Sequence, residues 1–327
     1  MKSLLQTQEW ATLKEKQGWK IHDPDEIFVL EKKLPLGKTF LYAPEVSFAQ
    51  ITDFNRFITK VDKIARNINS IFFRLELLDE KVEKNIEIIE NLQKYKFHKA
   101  FEEIQPEYRQ IIPIAGSNEA ILTQMKTKGR YNIKVAERHG VEVKVIGSEN
   151  LKQGLDEFYK IFTETAKRDG FSIRPREYFQ TLLDTLGTKG YTELLVAYLN
   201  NVAIAAEIVT YYDETASYLY GSSANNFRNV MAPYLMHWAA IKRARAKGCK
   251  YYDLLAIAPF DSDQGLVDSG QSENQKQKII NHKYSGITRF KEQFGGRSVN
   301  IIGSYDLVYQ PIWYEIFKTI EKIRRGK

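Results

Sequence analysis

Cysteine is nearly absent: Cys249 is the single one in 327 residues. One thiol excludes an intramolecular disulfide and a cysteine-built zinc cluster, and it fits a reducing compartment, so the cytoplasm is the expected location. Cys249 follows the helix terminator Gly248, where a structural cysteine is commoner than a nucleophile. Histidine is scarce as well. His22, His98, His139, His237 and His282 form no H-x-x-x-H pair, so no metal site is expected. No run of about 18 apolar residues is present, which excludes an ordinary spanning helix. The start, M-K-S-L-L-Q-T-Q-E-W, lacks the apolar core and cleavage site of a signal peptide. Neither G-x-x-x-x-G-K-[ST] nor G-x-G-x-x-G occurs, so nucleotide loops of those kinds are missing, and there is no G-x-S-x-G elbow.

What the chain does have is a large apolar and aromatic supply, 43% and 13% of residues, and 48 Lys+Arg against 41 Asp+Glu, a net charge of +7. The first supports a sizeable core. The second permits a polyanionic partner such as RNA, a phosphate group or an anionic membrane face, and equally describes an ordinary lysine-rich surface.

Strand and helix patterns alternate along the chain, which predicts an α/β protein. Apolar residues at helical spacing mark residues 3–18, 51–67, 85–95 and 151–168; Ser3 is the expected cap of the first. Alternation marks strands at 70–77 and 141–146. Three strands over 192–199, 202–212 and 215–220 read as a meander whose first turn, Asn200–Asn201, is a tight hairpin signal. A β-α-β element follows over 211–259. Pro233 suits the first helical turn, Leu235, Trp238 and Ala239 share a face, and Arg243, Arg245 and Lys247 load the last turn before Gly248. Two units are expected, 1–146 with 305–327 and 147–304, hinged near Gly147. Residues 261–283 are almost wholly polar and read as a long mobile loop able to act as a lid. The last helix should carry Trp313, Ile316, Phe317, Ile320 and Ile323 on one face.

The β-α-β core resembles that of an acetyltransferase, yet no glycine lies between Ser222 and Lys247, where a CoA pyrophosphate would need close backbone approach. Arg130, Lys134 and Arg138 fall at i, i+4 and i+8, one stripe that reads either as a phosphate or RNA contact or as a solvated basic face.

Seven segments together resemble one family. They are Q-x-x-E-W near the start, M-K-T-K-G-R-Y-N-I-K-V-A-E, T-A-K-R-D-G-F-S-I-R-P-R-E-Y, Y-L-Y-G-S-S, M-A-P-Y-L-x-x-W, D-L-L-A-I-A-P and G-I-T-R-F-K-x-x-F-G-G. The family is that of the Fem-type aminoacyl-tRNA-dependent transferases that build peptidoglycan cross-bridges. The resemblance implies two tandem acetyltransferase-like (GNAT-type) domains with mixed sheets, the C-terminal helix returning to the first. It implies aminoacyl-tRNA as co-substrate with no separate cofactor, and a UDP- or lipid-linked muropeptide precursor as acceptor. It implies peripheral contact with the inner membrane face, and no DNA partner. By position, Arg174 resembles the family's contact to precursor phosphates, with Ser172 and Tyr178 as flanking contacts. Tyr220 resembles a further substrate-contacting tyrosine, and Phe290 and Lys291 the pair beside the reacting centre. Lys126, Arg130 and Lys134 are the candidate tRNA or phosphate contacts.

The chemistry is consistent with those residue types. A fixed ammonium stabilises a tetrahedral oxyanion, a guanidinium forks onto diphosphate oxygens, and tyrosine offers a face and a hydroxyl. Each has a structural counterpart: Arg174 as a helix cap, Tyr178 and Tyr220 as core aromatics, Lys291 as a surface lysine. Two positions depart from the family pattern. Glu45 in Y-A-P-E-V stands where a cation is expected, and Ile114 where the preceding strand often carries an acid. An acyl-CoA-dependent N-acyltransferase and a non-catalytic RNA- or precursor-binding protein are the alternatives.

Overall fold

The computed structural model describes residues 2–82, 85–260 and 284–324. The chain forms two compact units, residues 1–107 with 300–327, and residues 108–299. The proposed loop at 261–283 lies outside the described residues.

In the first unit, strands Lys20–His22 (β1), Val29–Lys33 (β2), Thr39–Val46 (β3) and Ser70–Glu80 (β4) form a sheet in that order, and the late strand Arg297–Val308 pairs antiparallel with β4. β3 and β4 run parallel, joined by helix Phe54–Asn67 (α2). The predicted helical spacing puts Phe57, Ile58 and Val61 of α2 inside, against Phe73 and Leu75. The first helix is shorter than expected. Thr7 caps Gln8–Lys16 (α1) by accepting from Trp10 N, while Ser3 caps a separate short turn, Leu4–Gln6. Glu45 is buried and accepts a hydrogen bond from Ser3 Oγ at 2.5 Å.

The second unit starts earlier than the hinge expected near Gly147. Strand Tyr108–Pro113 (β5) pairs antiparallel with Tyr251–Ala256, some 140 residues onward, and helix Thr127–Arg138 packs on Ala232–Ala246. Those long-range pairings bind 108–146 to the second unit. Ile114, just beyond the strand, is fully buried. The sheet order is then β5, Tyr251–Ala256, Thr215–Ser223, Val202–Tyr212, Thr192–Leu199 and Glu142–Val145. We label the last five in chain order as Glu142–Val145 (β6), Thr192–Leu199 (β7), Val202–Tyr212 (β8), Thr215–Ser223 (β9) and Tyr251–Ala256 (β10). The β7–β8–β9 meander is as predicted, and Asn200 and Asn201 both take positive φ at its first turn. Helices Leu151–Asp169 (α3) and Arg176–Gly187 (α4) cover one face of the sheet. Thr127–Arg138 and Ala232–Ala246 (α5) lie with the cluster that holds Ala205, Val209 and Tyr252.

Candidate active site

β9 and β10 are parallel neighbours, and their pairing covers only Thr215–Ser217 against Tyr251–Asp253. Beyond that point the strands part. On β9 an extra residue enters between Tyr218, opposite Val209, and Tyr220, opposite Ile208. Side chains alternate along a strand, so without the bulge Tyr218 and Tyr220 would share a face. With it they point to opposite faces. Gly221 follows, and a β-carbon there would overlap the Tyr218 hydroxyl. That close approach is the physical reason for glycine in Y-L-Y-G-S-S.

Tyr220 joins an aromatic group on the α3–α4 face. Its ring centroid lies 5.1 Å from Phe179 and 6.0 Å from Phe162, and its hydroxyl is 3.1 Å from that of Tyr178. Burial pushes the Tyr178 phenol well above its ordinary value. The Arg174 guanidinium sits 4.8 Å from the Tyr178 ring centroid, a cation–π distance, and remains exposed, as does Ser172 in the same loop. Three of the candidate residues, Arg174, Tyr178 and Tyr220, are thus brought together, with Ser172 in the loop that carries Arg174.

Tyr218 turns the other way, 4.5 Å from the His237 ring of α5. Lys291, from helix Ser285–Lys291 (α6), lies 5.8 Å from the Tyr218 ring and donates from Nζ to Ala256 O at 2.7 Å. A kink in β10 supplies that carbonyl: Leu255 holds φ 56°, and its N–H donates to Asp253 Oδ1 at 2.7 Å. α6 is tied to the same strand end, because Ala258 N donates to Thr288 Oγ1 at 2.7 Å. Lys291 is 3% exposed. Burial lowers its pKa to about 8, and Asp253 only partly opposes this.

Behind it lies a pair that sequence reasoning passed over. Glu207 of β8 is fully buried, its Oε2 is 3.3 Å from His237 Nδ1, and neither carboxyl oxygen makes a hydrogen bond among the described residues. Desolvation raises the Glu207 carboxyl to about 8 and lowers His237, which Lys291 disfavours further as a cation. Both groups are therefore neutral near pH 7. Tyr252 also reaches His237 Nδ1, at 3.2 Å. The available signal was a lone charge in the apolar run A-I-A-A-E-I-V; such a residue is rarely buried without a reason.

Phe290 packs on Tyr234, His237 and Phe294. With Tyr234, Phe227, Met231, Arg228 and Pro233 it lines a pocket of about 160 Å³ at the N-terminus of α5. Pro233 removes one N–H there and Met231 holds φ 57°. An apolar, aromatic mouth replaces the amide cradle a pyrophosphate needs.

The basic stripe is split. Arg130 donates to the Leu122 and Met125 carbonyls, Lys126 pairs with Glu292 at 2.8 Å, and Lys134 is exposed. Gly129 packs so closely on Gln293 that a β-carbon would overlap its carbonyl. K-T-K-G-R therefore docks against the segment that carries Lys291. No cluster able to hold a metal occurs among the described residues, and no described helix is long and apolar enough to cross a membrane.

Two α/β units, the second with parallel strands that diverge beside a helix N-terminus, define a tandem acetyltransferase-like (GNAT-type) protein. The chain belongs to the FemAB family, whose model matches residues 74–201 and 192–322. The crystal structure of FemX superposes with a TM-score of 0.77 at 20% identity, covering 96% of this chain and 94% of that one. L-PGS from Bacillus licheniformis shares the fold more distantly, with a TM-score of 0.53 at 13% identity over 89% and 84% of the two chains. Among curated proteins, the lipid II:glycine glycyltransferase of Staphylococcus haemolyticus (strain JCSC1435) is 23% identical over 97% of this chain and 91% of its own length. That of Staphylococcus saprophyticus subsp. saprophyticus is 24% identical over 99% and 92%.

Proposed function

We propose that this protein transfers an aminoacyl group from aminoacyl-tRNA to an amine of a peptidoglycan precursor, at the cytoplasmic side of the membrane. The observation that carries the reading is Lys291, a buried ammonium fixed by the Ala256 carbonyl where β9 and β10 part. The naming of the curated relatives as lipid II:glycine glycyltransferases supports the acceptor class.

In this reading the acceptor amine attacks the ester carbonyl carbon of the charged tRNA. The carbonyl oxygen becomes an oxyanion, and Lys291 Nζ–H donates to it. Collapse breaks the bond to the ribose oxygen. That oxygen leaves with a proton, and the attacking nitrogen gives one up, so the products are an amide and a free ribose hydroxyl. Phe290 and Tyr234 receive the terminal base by stacking in the pocket beside Lys291. Arg174, with Ser172, Tyr178 and Tyr220, holds the precursor; its guanidinium is exposed and its plane is steadied on Tyr178. The basic residues Lys126 and Lys134 supply sequence-independent attraction for the RNA backbone, whereas Arg130 is already committed to carbonyls.

The test is a transfer assay with a pool of labelled aminoacyl-tRNAs against UDP-linked and lipid-linked muropeptides, read by mass. An aminoacylated precursor is expected. No product with any charged tRNA, together with N-acylation from acyl-CoA, overturns the reading.

A further inference from the structure

We infer that one face of the first unit is a docking surface for an anionic phospholipid bilayer. It is built by helix Pro311–Arg324 (α7) and the turn between β2 and β3.

The helix is amphipathic twice over. Its inner side, Trp313, Tyr314 and Phe317, packs on Phe40, Phe72 and Phe101. Tyr314 donates to the buried Asp306 at 2.7 Å. This side satisfies the fold. Ile312, Ile316, Ile320 and Ile323 are left outside, 78%, 42%, 55% and 74% exposed. At 100° per residue these four fall within an arc of about 80°. The sequence placed Ile316, Ile320 and Ile323 on the same face as Trp313 and Phe317; the helix instead divides them into an inner aromatic side and an outer isoleucine side.

A second element adds to the same surface. Leu36, at the tip of the β2–β3 turn, is 79% exposed and holds φ 59°. A leucine gains nothing in water, and this backbone region favours glycine or asparagine. Lys38, two residues on, lies 4.9 Å from the Trp313 ring and donates to Gln310 at 2.6 Å. The tip is therefore fixed beside the start of α7. Lys33 and Lys38 on the turn and Lys322 and Arg324 on the helix bring positive charge beside the apolar residues, while Lys318 lies on the far side over the Tyr314 ring. The acids on the helix, Glu315 and Glu321, are each paired, with Lys318 at 2.9 Å and Arg324 at 2.6 Å.

The surface is an exposed aliphatic ridge with lysines beside it. Protein interfaces anchor on aromatic residues and arginine seated in pockets, whereas the exposed ridge is leucine and isoleucine and Arg324 at its edge is paired with Glu321. Apolar side chains entering the acyl boundary while lysines meet anionic headgroups is the arrangement of an interfacial helix.

The test uses the full chain and vesicles of phosphatidylcholine alone or mixed with phosphatidylglycerol, with binding read by co-sedimentation. Stronger binding to the phosphatidylglycerol vesicles, weakened by salt, is expected. Ile312→Ser/Ile320→Ser/Ile323→Ser should lower it by about tenfold or more, with the thermal midpoint unchanged. Leu36→Asn, at ease at positive φ, should lower binding while the thermal midpoint holds or rises. Equal binding by wild type and triple variant overturns the inference, as does no binding by wild type. So does a wild-type dimer that the triple variant splits, because a second copy then covers the face. No substrate is present in this readout, so it succeeds or fails apart from the transfer reaction.

Discussion

Each unit buries a group of titratable side chains, and the two groups differ in how completely they are partnered. In the first unit Arg74 is almost fully enclosed. Its Nε and Nη2 meet the two Asp306 oxygens at 2.7 Å each, and Nη1 reaches Glu102 at 3.2 Å. The paired carboxylates raise the guanidinium's pKa further above its ordinary value, outweighing desolvation. In the second unit the Lys291 ammonium has a carbonyl for its partner, and Glu207 faces a neutral histidine without a hydrogen bond among the described residues. One group keeps its charges by pairing them. The other leaves its titratable groups short of partners, so the burial penalty appears as displaced pKa values. Shifts of that kind, at a point where strands part, are the physical ground on which chemistry is proposed there.

The largest effect expected from this contrast is on the paired side. Arg74→Met strands Asp306 without its counter-charge in the core, and breaking a buried pair costs about 3–5 kcal/mol. Urea denaturation reads it directly. Loss of under about 1 kcal/mol would show the pair to be no more than packing.

Lys291→Met should act in the opposite sense. Transfer falls about 10²–10³-fold, the scale for a lost oxyanion donor. Stability rises, because a lysine whose pKa drops from 10.5 to about 8 on folding is held against its preference for charge, by about 3 kcal/mol. The unfolded chain binds the extra proton between those values, so wild-type stability climbs as pH rises from about 8 toward 10.5, and the variant lacks that climb. Transfer needs the protonated form, so the rate should fall as pH rises through about 8. Lys291→Arg, charged throughout, should lose that limb. A variant that is folded and fully active removes Lys291 from the chemistry.

Glu207→Gln sharpens the same point through pH. The Glu207 carboxyl is raised from 4.5 to about 8 in the folded chain. Its favourable share is complete below 4.5 and lost as pH rises through about 8. Wild type should therefore be less stable than the variant by a few kcal/mol at pH 8, and near equal to it below pH 4.5, where the carboxyl is neutral in both states. Parallel thermal midpoints across that window would mean that the carboxyl is solvated after all.

What could be read in advance follows from how local each signal is. The β7–β8–β9 meander was legible because alternation and the Asn200–Asn201 turn lie within one short stretch. The helix with Pro233 and Gly248 was legible for the same reason. The unit boundary was not. β5 owes its place to pairing with β10, far along the chain, and nothing local to residues 108–146 announces it. The bulge that separates Tyr218 from Tyr220 is equally silent, because a period-two pattern assumes no extra residue. The motifs offered Lys291 and Arg174 as candidates but supplied no reason for their neighbours. In the sequence His237 is only one of five histidines outside any H-x-x-x-H pair, and the fold alone sets it 3.3 Å from Glu207.

The smallest change tests whether the bulge divides the site into two tasks. Tyr220→Phe removes one hydroxyl that meets Tyr178 at 3.1 Å, and leaves the ring against Phe162 and Phe179. The stability change should stay within about 1 kcal/mol, the net worth of one such hydrogen bond. Because this hydroxyl sits with Arg174 on the α3–α4 face, its loss should raise KM for the precursor a few-fold and leave kcat unaltered. Tyr218→Phe is the same chemical step on the other face, beside His237 and Lys291, and its effect should fall on kcat. If both variants shift KM alone, the two faces hold substrate together, and the division drawn at Leu219 describes the backbone but not the work.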